Sequence, residues 1–319
     1  MIGRRHLLTA AAAGIMAPRA RAAVSLTLLV GAKAGSQADQ QARAFIPFLA
    51  HFMPGTDVAI SNVLGGAGLA AIQALAQAEP NGATIGWLAT PTLPARMVDR
   101  GADDLMQRIV LIGAVQKEPI AIVSPSATPL GSVQDIVARA AEDAEAVPLG
   151  TPPAGSPPHL AALRLQALAG TRLNIVAFPS AAAARQAAVG GNVAAAALGL
   201  SSAIGDLRDG RLVGLGIAAA SRSDAFPDLP PLRDAGLDLS AVIRRGLAAP
   251  VGLPEPIARR ITHALHGVVE AADFREHADS DGFIPKWLSG AAWAAEAEAE
   301  RAELAKLWAT EPWLQEGAG

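Results

Sequence analysis

The 319 residues contain no cysteine and no tyrosine, and aromatic side chains make up only 4% of them. Without cysteine there is no disulfide, no thiolate metal site and no thiol nucleophile. A chain of this length does without crosslinks, because it can bury enough apolar surface for two cores. Charge is also sparse: 17% of residues are Asp, Glu, Lys or Arg, and the formal net charge is −3. No basic stripe stands out, so a nucleic-acid partner, which needs concentrated positive charge, is not indicated. Beyond the N-terminus no run has the length and apolar purity of a membrane span. The alanine-rich stretch 181–188 is broken by Arg185 and Gln186. What is abundant is apolar residues, 51% of the chain, with alanine foremost. That composition specifies a folded protein and not a disordered one.

The first residues have the form of an export signal. Arg4 and Arg5 precede Leu7 and Leu8, an apolar run covers Ala10 to Ala17, and Ala20-Arg21-Ala22 is a small-x-small exit. Residues 1–22 are therefore expected to be a signal peptide. Its arginine pair resembles a twin-arginine signal, and the expected address is the periplasm. Its four arginines are matched by no acid, so the mature chain is more acidic than the whole.

From Val24 on, short apolar runs alternate with helical patterns. Residues 24–30, 57–61 and 83–89 read as strands, separated by helices starting near Ser36 and Leu69. Ser36-Gln37-Ala38-Asp39 is a capping box, with Ala42, Phe45, Ile46 and Leu49 on the buried stripe that follows. The alternation repeats through strands at 109–115, 119–124, 146–150, 173–178, 192–198 and 212–219. A proline- and aspartate-rich loop covers 223–238, and the chain from Pro254 is largely helical. This pattern means βαβ units and a mostly parallel sheet. Two such blocks, joined near 120–125 and 220–225, predict two α/β domains with two crossovers. The expected division is 23–124 for the first part of domain 1, 125–222 for domain 2, and 223–319 for the return to domain 1.

Four loops follow strands and precede helices, and all are built from small or hydroxyl residues. They are Ala34-Gly35-Ser36, Gly65-Gly66-Ala67-Gly68, Gly150 to Ser156, and Pro179-Ser180-Ala181. In a parallel sheet such loops gather at one edge. There, helix N-termini offer unpaired N–H groups and partial positive charge. Loops of this kind on both sides of a cleft can hold an anion without any arginine. Asp39, in the first turn of its helix, caps backbone N–H groups and pairs with Arg43 four residues on. His159 lies in the first turn after Ser156 and can donate either to a ligand carboxylate or to a loop carbonyl. Trp87, near the end of a strand, is placed to reach the cleft.

Other chemistry finds little support. Gly66-Ala67-Gly68-Leu69-Ala70-Ala71 fits G-x-G-x-x-A, yet it follows the second strand and has no acidic residue near position 88 for a ribose. His263, His266 and His277 form no H-E-x-x-H pattern, and no G-x-S-x-G elbow occurs. No cofactor, no metal and no catalytic residue is expected.

Several short stretches, in order along the mature chain, resemble the substrate-binding receptors of tripartite tricarboxylate transporters, the TctC-like or Bordetella-uptake-gene family. Ala34 to Arg43 is similar to the family's P-G-G-x-x-D-x-x-A-R, and Asn62 to Gly68 to its N-x-x-G-A-G-G. Pro80-Asn81-Gly82-Ala83-Thr84 resembles P-x-G-x-T, and Gly155-Ser156-Pro157-Pro158-His159-Leu160 keeps G-S-x-x-H-L intact. Gly190-Gly191-Asn192-Val193 and Ala249-Pro250-Val251-Gly252-Leu253-Pro254 are similar to G-G-x-V and A-P-x-G-x-P. The chain departs from the pattern at Ala34, Ser36, Pro152, Pro153, Phe178 and Ser180. Each proline removes an N–H that could have met a carboxylate.

The resemblance implies a periplasmic-binding type II fold with the ligand cleft between two lobes. It implies capture of a small organic carboxylate for the permease subunits of a tripartite transporter, by a monomer with no enzymatic activity. The ligand-binding residues it implies, together with the loops above, are Gly35, Ser36, Asp39, Gly66, Thr151, Ser156, His159 and Ser180. Two other roles fit the same bilobed chain: a sensor feeding a two-component system, and an exported enzyme.

Overall fold

The computed structural model describes residues 24–222 and 227–314. The expected signal peptide, residues 1–22, lies outside them. The chain opens with β1 (Val24–Val30), α1 (Gln37–Phe52), β2 (Thr56–Asn62), α2 (Leu69–Gln77) and β3 (Thr84–Thr90). The three strands are parallel, in the order β2-β1-β3. Ser36 caps α1, its hydroxyl accepting the Asp39 N–H at 3.5 Å. Phe45 and Leu49 point from α1 into the core and are fully buried. Each such side chain contributes about 1.5–3 kcal/mol through the apolar surface it removes from water.

Two short helices, α3 (Thr92–Asp99) and α4 (Leu105–Arg108), lead to β4, which runs 17 residues from Ile109 to Pro125. The sequence suggests two strands here, at 109–115 and 119–124. They are one, because the polar residues between the two apolar runs do not turn the chain. Gln116, Lys117 and Glu118 stay paired to the neighbouring strand, opposite Arg245, Arg244 and Ile243, and only Lys117 among the three is not buried. After β4 come α5 (Val133–Glu142), β5 (Pro148–Thr151), α6 (Pro157–Ala169), β6 (Asn174–Ala177), α7 (Ala181–Val189), β7 (Ala195–Gly199), α8 (Leu200–Arg208) and β8 (Leu212–Ile217). The chain then returns through β9 (Val242–Pro250), α9 (Glu255–Glu270), α10 (Ala272–Asp281), β10 (Ile284–Ser289) and α11 (Gly290–Thr310).

The strand order is β2-β1-β3-β9-β4-β7-β5-β6, with β10 and β8 also paired to β4, and the sheet is mixed and not mostly parallel as expected, because every pairing made by β4 and β9 is antiparallel. Along Ile109 to Pro119, β4 pairs with β9; from Ile120 to Pro125 it pairs with β7 and β8. One strand thus runs through both lobes of a bilobed α/β fold. The second crossover lies at Ala241–Val242. There the Ala241 N–H reaches the Ala218 carbonyl at 2.9 Å, and Val242 opposes Pro119. Leu232, Leu239 and Ala241 pack into the second lobe's core, so that lobe continues past residue 222. Neither β9 nor β10 is legible as a strand in the sequence: two arginines interrupt the first, and the second reads Ile-Pro-Lys-Trp-Leu-Ser.

The first lobe's core is aromatic. Phe45 stacks on Trp87 at 4.8 Å between ring centroids and meets Phe274 edge-on at 6.1 Å. One face of the second lobe is filled largely by alanine, including Ala184, Ala187, Ala188, Ala196 and Ala203. A smaller cluster joins the lobes, with Leu160 and Leu163 of α6 against Ala95 of α3, Leu304 of α11 and Trp313. No described helix is long and apolar enough to cross a membrane.

Candidate functional site

The turns after β1 and β2 touch at Gly31 and Gly68. A Cβ on Gly31 would stand 2.9 Å from the Gly68 Cα, so only glycine permits the approach. Residues 65–68 all have positive φ, including Ala67 at 52°, a conformation that costs a non-glycine residue energy. A cavity of about 100 Å³ opens against these turns. Gly31, Ala67, Gly68 and Ala38 form one wall, and Trp87, Thr92 and Arg245 face it. Trp87 is buried, and its indole N–H has no hydrogen-bond partner.

Asp39 builds the frame behind this wall. Its Oδ2 accepts from the Gly35 N–H and from Arg43 Nε, both at 2.8 Å, and its Oδ1 accepts from Asn62 Nδ2 at 2.9 Å. The same Asn62 nitrogen donates to the Ala32 carbonyl at 2.9 Å, tying the two turns together. The bond from Arg43, with those from Gly35 and Asn62, outweighs burial and holds the Asp39 carboxyl down at about 2. Both oxygens are engaged, and Asp39 thereby shapes the loop of Gly35 and Ser36. Gly66 sits in the turn at φ 53°, and like the other expected ligand residues, Gly35, Ser36, Asp39, Thr151, Ser156, His159 and Ser180, it does not line the cavity, whose walls all come from the first lobe.

In the second lobe, Thr151, Ser156 and His159 come together at the start of α6. The Thr151 hydroxyl donates to the Pro152 carbonyl at 2.9 Å. His159 Nδ1 accepts the Gly155 N–H at 3.4 Å, and burial pushes the imidazole down to about 4, so the ring is neutral at pH 7. Ser156 Oγ is buried without a partner. Arg96 of α3 donates to the Gly155 carbonyl at 3.2 Å and pairs with Asp99, which also accepts the Trp313 indole N–H at 2.7 Å. Ser180 caps α7 through the Ala183 N–H at 3.1 Å and is exposed. The structure therefore groups Gly35, Ser36 and Asp39 in one lobe and Thr151, Ser156 and His159 in the other.

What joins the lobes beside the cavity is a set that no sequence motif singles out. Arg245 of β9 pairs with Glu118 of β4, and both are buried. Glu118 Oε1 accepts from Ser201, from the N–H at 3.0 Å and from the hydroxyl at 2.5 Å. Ser201 Oγ in turn accepts from Gln41 Nε2 at 3.0 Å and from Gln37 Nε2 at 3.4 Å. The sequence reading named no arginine for the site, and a guanidinium lines the cavity. The usable signal was a pair of arginines in an apolar strand. By strand alternation the two face opposite ways: Arg245 toward this cavity, and Arg244 toward Glu296, which it meets in an ion pair.

A guanidinium, an indole ring and glycine turns line this small cavity. On a two-lobed α/β frame whose long strand passes through both lobes, this is a solute-binding protein of periplasmic-binding type II fold. The chain belongs to the tripartite tricarboxylate transporter family of receptors, whose model matches residues 50–296. It is 30% identical over 234 residues to a UPF0065 protein of Bordetella bronchiseptica, a match covering 73% of this chain and 69% of that one. Among solved structures it is similar to MatC of Rhodopseudomonas palustris with bound malate, at 24% identity and TM-score 0.77, covering 89% of this chain and 98% of that one. It is also similar to Rpa4515 of R. palustris with adipate, at 22% identity and TM-score 0.80, covering 90% and 96%. Among the described residues no cluster of His, Asp or Glu could hold a metal ion.

Proposed function

We propose that this receptor captures a small organic carboxylate in the cleft between its lobes and delivers it to the membrane permease of a tripartite tricarboxylate-type transporter. The observation that carries the reading is the cavity of about 100 Å³ lined by Arg245, Trp87 and the glycine turns at Gly31 and Ala67-Gly68. A guanidinium carries five N–H donors, and its pairing with Glu118 is made through one nitrogen, Nη1. Charge-assisted bonds from the rest of the guanidinium, with backbone N–H groups at the turns, suit a carboxylate. Gly35, Ser36 and Asp39 set the turn, and Thr151, Ser156, His159 and Ser180 shape the facing lobe. That two proteins of this fold hold malate and adipate supports a carboxylate as the ligand. Residues 1–22 act as the export signal, by the twin-arginine route, and the mature protein works in the periplasm as a monomer.

The test is thermal unfolding of residues 23–319, unfolded and refolded to strip bound ligand, against a panel of carboxylates. A ligand that binds only the folded chain raises the midpoint, by about 2.7 kcal/mol of stabilisation at a hundred times Kd. A rise with a carboxylate that is lost in Arg245→Met supports the reading. No rise across mono-, di- and aromatic carboxylates refutes it.

A further inference from the structure

The N-terminus of α8 already holds a carboxylate, and it is the chain's own. Glu118 lies at the point where β4 leaves β9 and begins to pair with β7. One of its oxygens takes the Ser201 N–H and hydroxyl, the other takes Arg245, and the residue is 1% exposed. Gly199 leaves room for it, since a Cβ there would stand 2.4 Å from Glu118 Oε1. From the cavity wall the contacts run Arg245, Glu118, Ser201, then Gln41 and Gln37 of α1, the helix whose Ala38 is again cavity wall. The carboxylate of Glu118 is therefore a neighbour of whatever Arg245 holds.

At its loops the second lobe leaves the Ser156 hydroxyl unspent, and several other donors are taken. Helix α6 starts with Pro157 and Pro158, which have no N–H. The Gly155 N–H goes to His159, the Thr151 hydroxyl to Pro152, and the Ala183 N–H of α7 to Ser180. A ligand with one carboxylate meets the first lobe's donors and asks nothing of these. A second carboxylate extended toward α8 would find the Ser201 N–H and hydroxyl already taken and would stand beside the Glu118 carboxylate.

We propose that Glu118 is a specificity-determining residue that restricts this receptor to ligands with a single carboxylate, by standing at α8 in the place of a ligand's second one. The proposal rests on the carboxylate reading of the cavity. It is tested by titration calorimetry of refolded residues 23–319 with matched acids: butyrate against succinate, hexanoate against adipate, and benzoate against terephthalate. The expected result is that a monoacid binds at least tenfold tighter than its diacid, and that Glu118→Gln narrows this ratio at least tenfold. Equal or tighter diacid binding by the unaltered protein would overturn the proposal and leave carboxylate capture standing. A folded Glu118→Gln protein with an unchanged ratio would also overturn it. Binding of no acid would overturn both readings. The ratio in the unaltered protein needs no substitution, so it decides the matter even if Glu118→Gln does not fold.

Discussion

The two lobes bring the same device to the cleft, a loop running from a strand into a helix, and leave it in opposite states. In the first lobe the loops after β1 and β2 are glycine turns pressed together at Gly31 and Gly68, with a cavity beside them. In the second lobe much of the corresponding ground is taken: prolines start α6, His159 takes the Gly155 N–H, and Glu118 takes the Ser201 N–H and hydroxyl at α8, though Ser156 Oγ is left without a partner. The difference teaches that a helix N-terminus is an anion site only while its donors are unspent. The cores differ in step, with stacked aromatics backing the first lobe's wall and alanine on one face of the second.

The largest effect should come where the two states meet. Arg245→Met leaves the Glu118 carboxylate buried without its cation, and loss of one partner of a buried pair costs about 3–5 kcal/mol. Urea denaturation should show that loss, while Arg245→Met combined with Glu118→Met should recover most of it. If the single substitution costs less than about 1 kcal/mol, the pair is not the junction described.

Acid should next separate the lobes. His159 is held down at about 4 by burial, below its ordinary 6.5, so the unfolded chain binds more protons between these values. Its contribution is complete above about pH 6.5 and is lost as pH falls toward 4, amounting to about 3 kcal/mol. A stability profile in urea should show this slope, and His159→Gln should flatten it. Asp39, held at about 2, acts in a lower window. Its contribution is present above about pH 4 and is lost as pH falls through 2, up to about 2 kcal/mol, since Arg43 is half exposed. Asp39→Asn should remove that slope and leave the His159 window unchanged. The smallest expected effect is at Ser180, an exposed cap, where alanine should cost about 1 kcal/mol and shift no ligand affinity. A tenfold loss of affinity in Ser180→Ala would place α7 in the site after all.

Much of this was legible in the sequence. Alternating strands and helices, the capping box at Ser36 and the glycine turn at 65–68 are local signals, and local propensity wrote them into adjacent residues. The family's short motifs pointed to the same fold. Less was legible of the site. Asp39 and Arg43 are four apart and were readable as a pair, but Asn62, which completes the frame, comes from another strand. Glu118 stands 83 positions from Ser201 and 127 from Arg245, and only the crossovers bring the three together. Arg245 also hid in a strand whose alternation is blurred, because β9 lies between two other strands and is buried along most of its length. His159 was read as a donor to a ligand carboxylate or to a loop carbonyl, whereas its Nδ1 accepts the Gly155 N–H.

The 17 residues of β4 have a further consequence for how the molecule can be taken apart. Cutting the gene into two pieces, one per lobe, would have to sever this strand or leave one piece without it. The first piece would lose the neighbour of β9, and the second the neighbour of β7 and β8. Evolution by lobe exchange meets the same obstacle: a new second lobe must arrive with its own continuation of the old one's central strand.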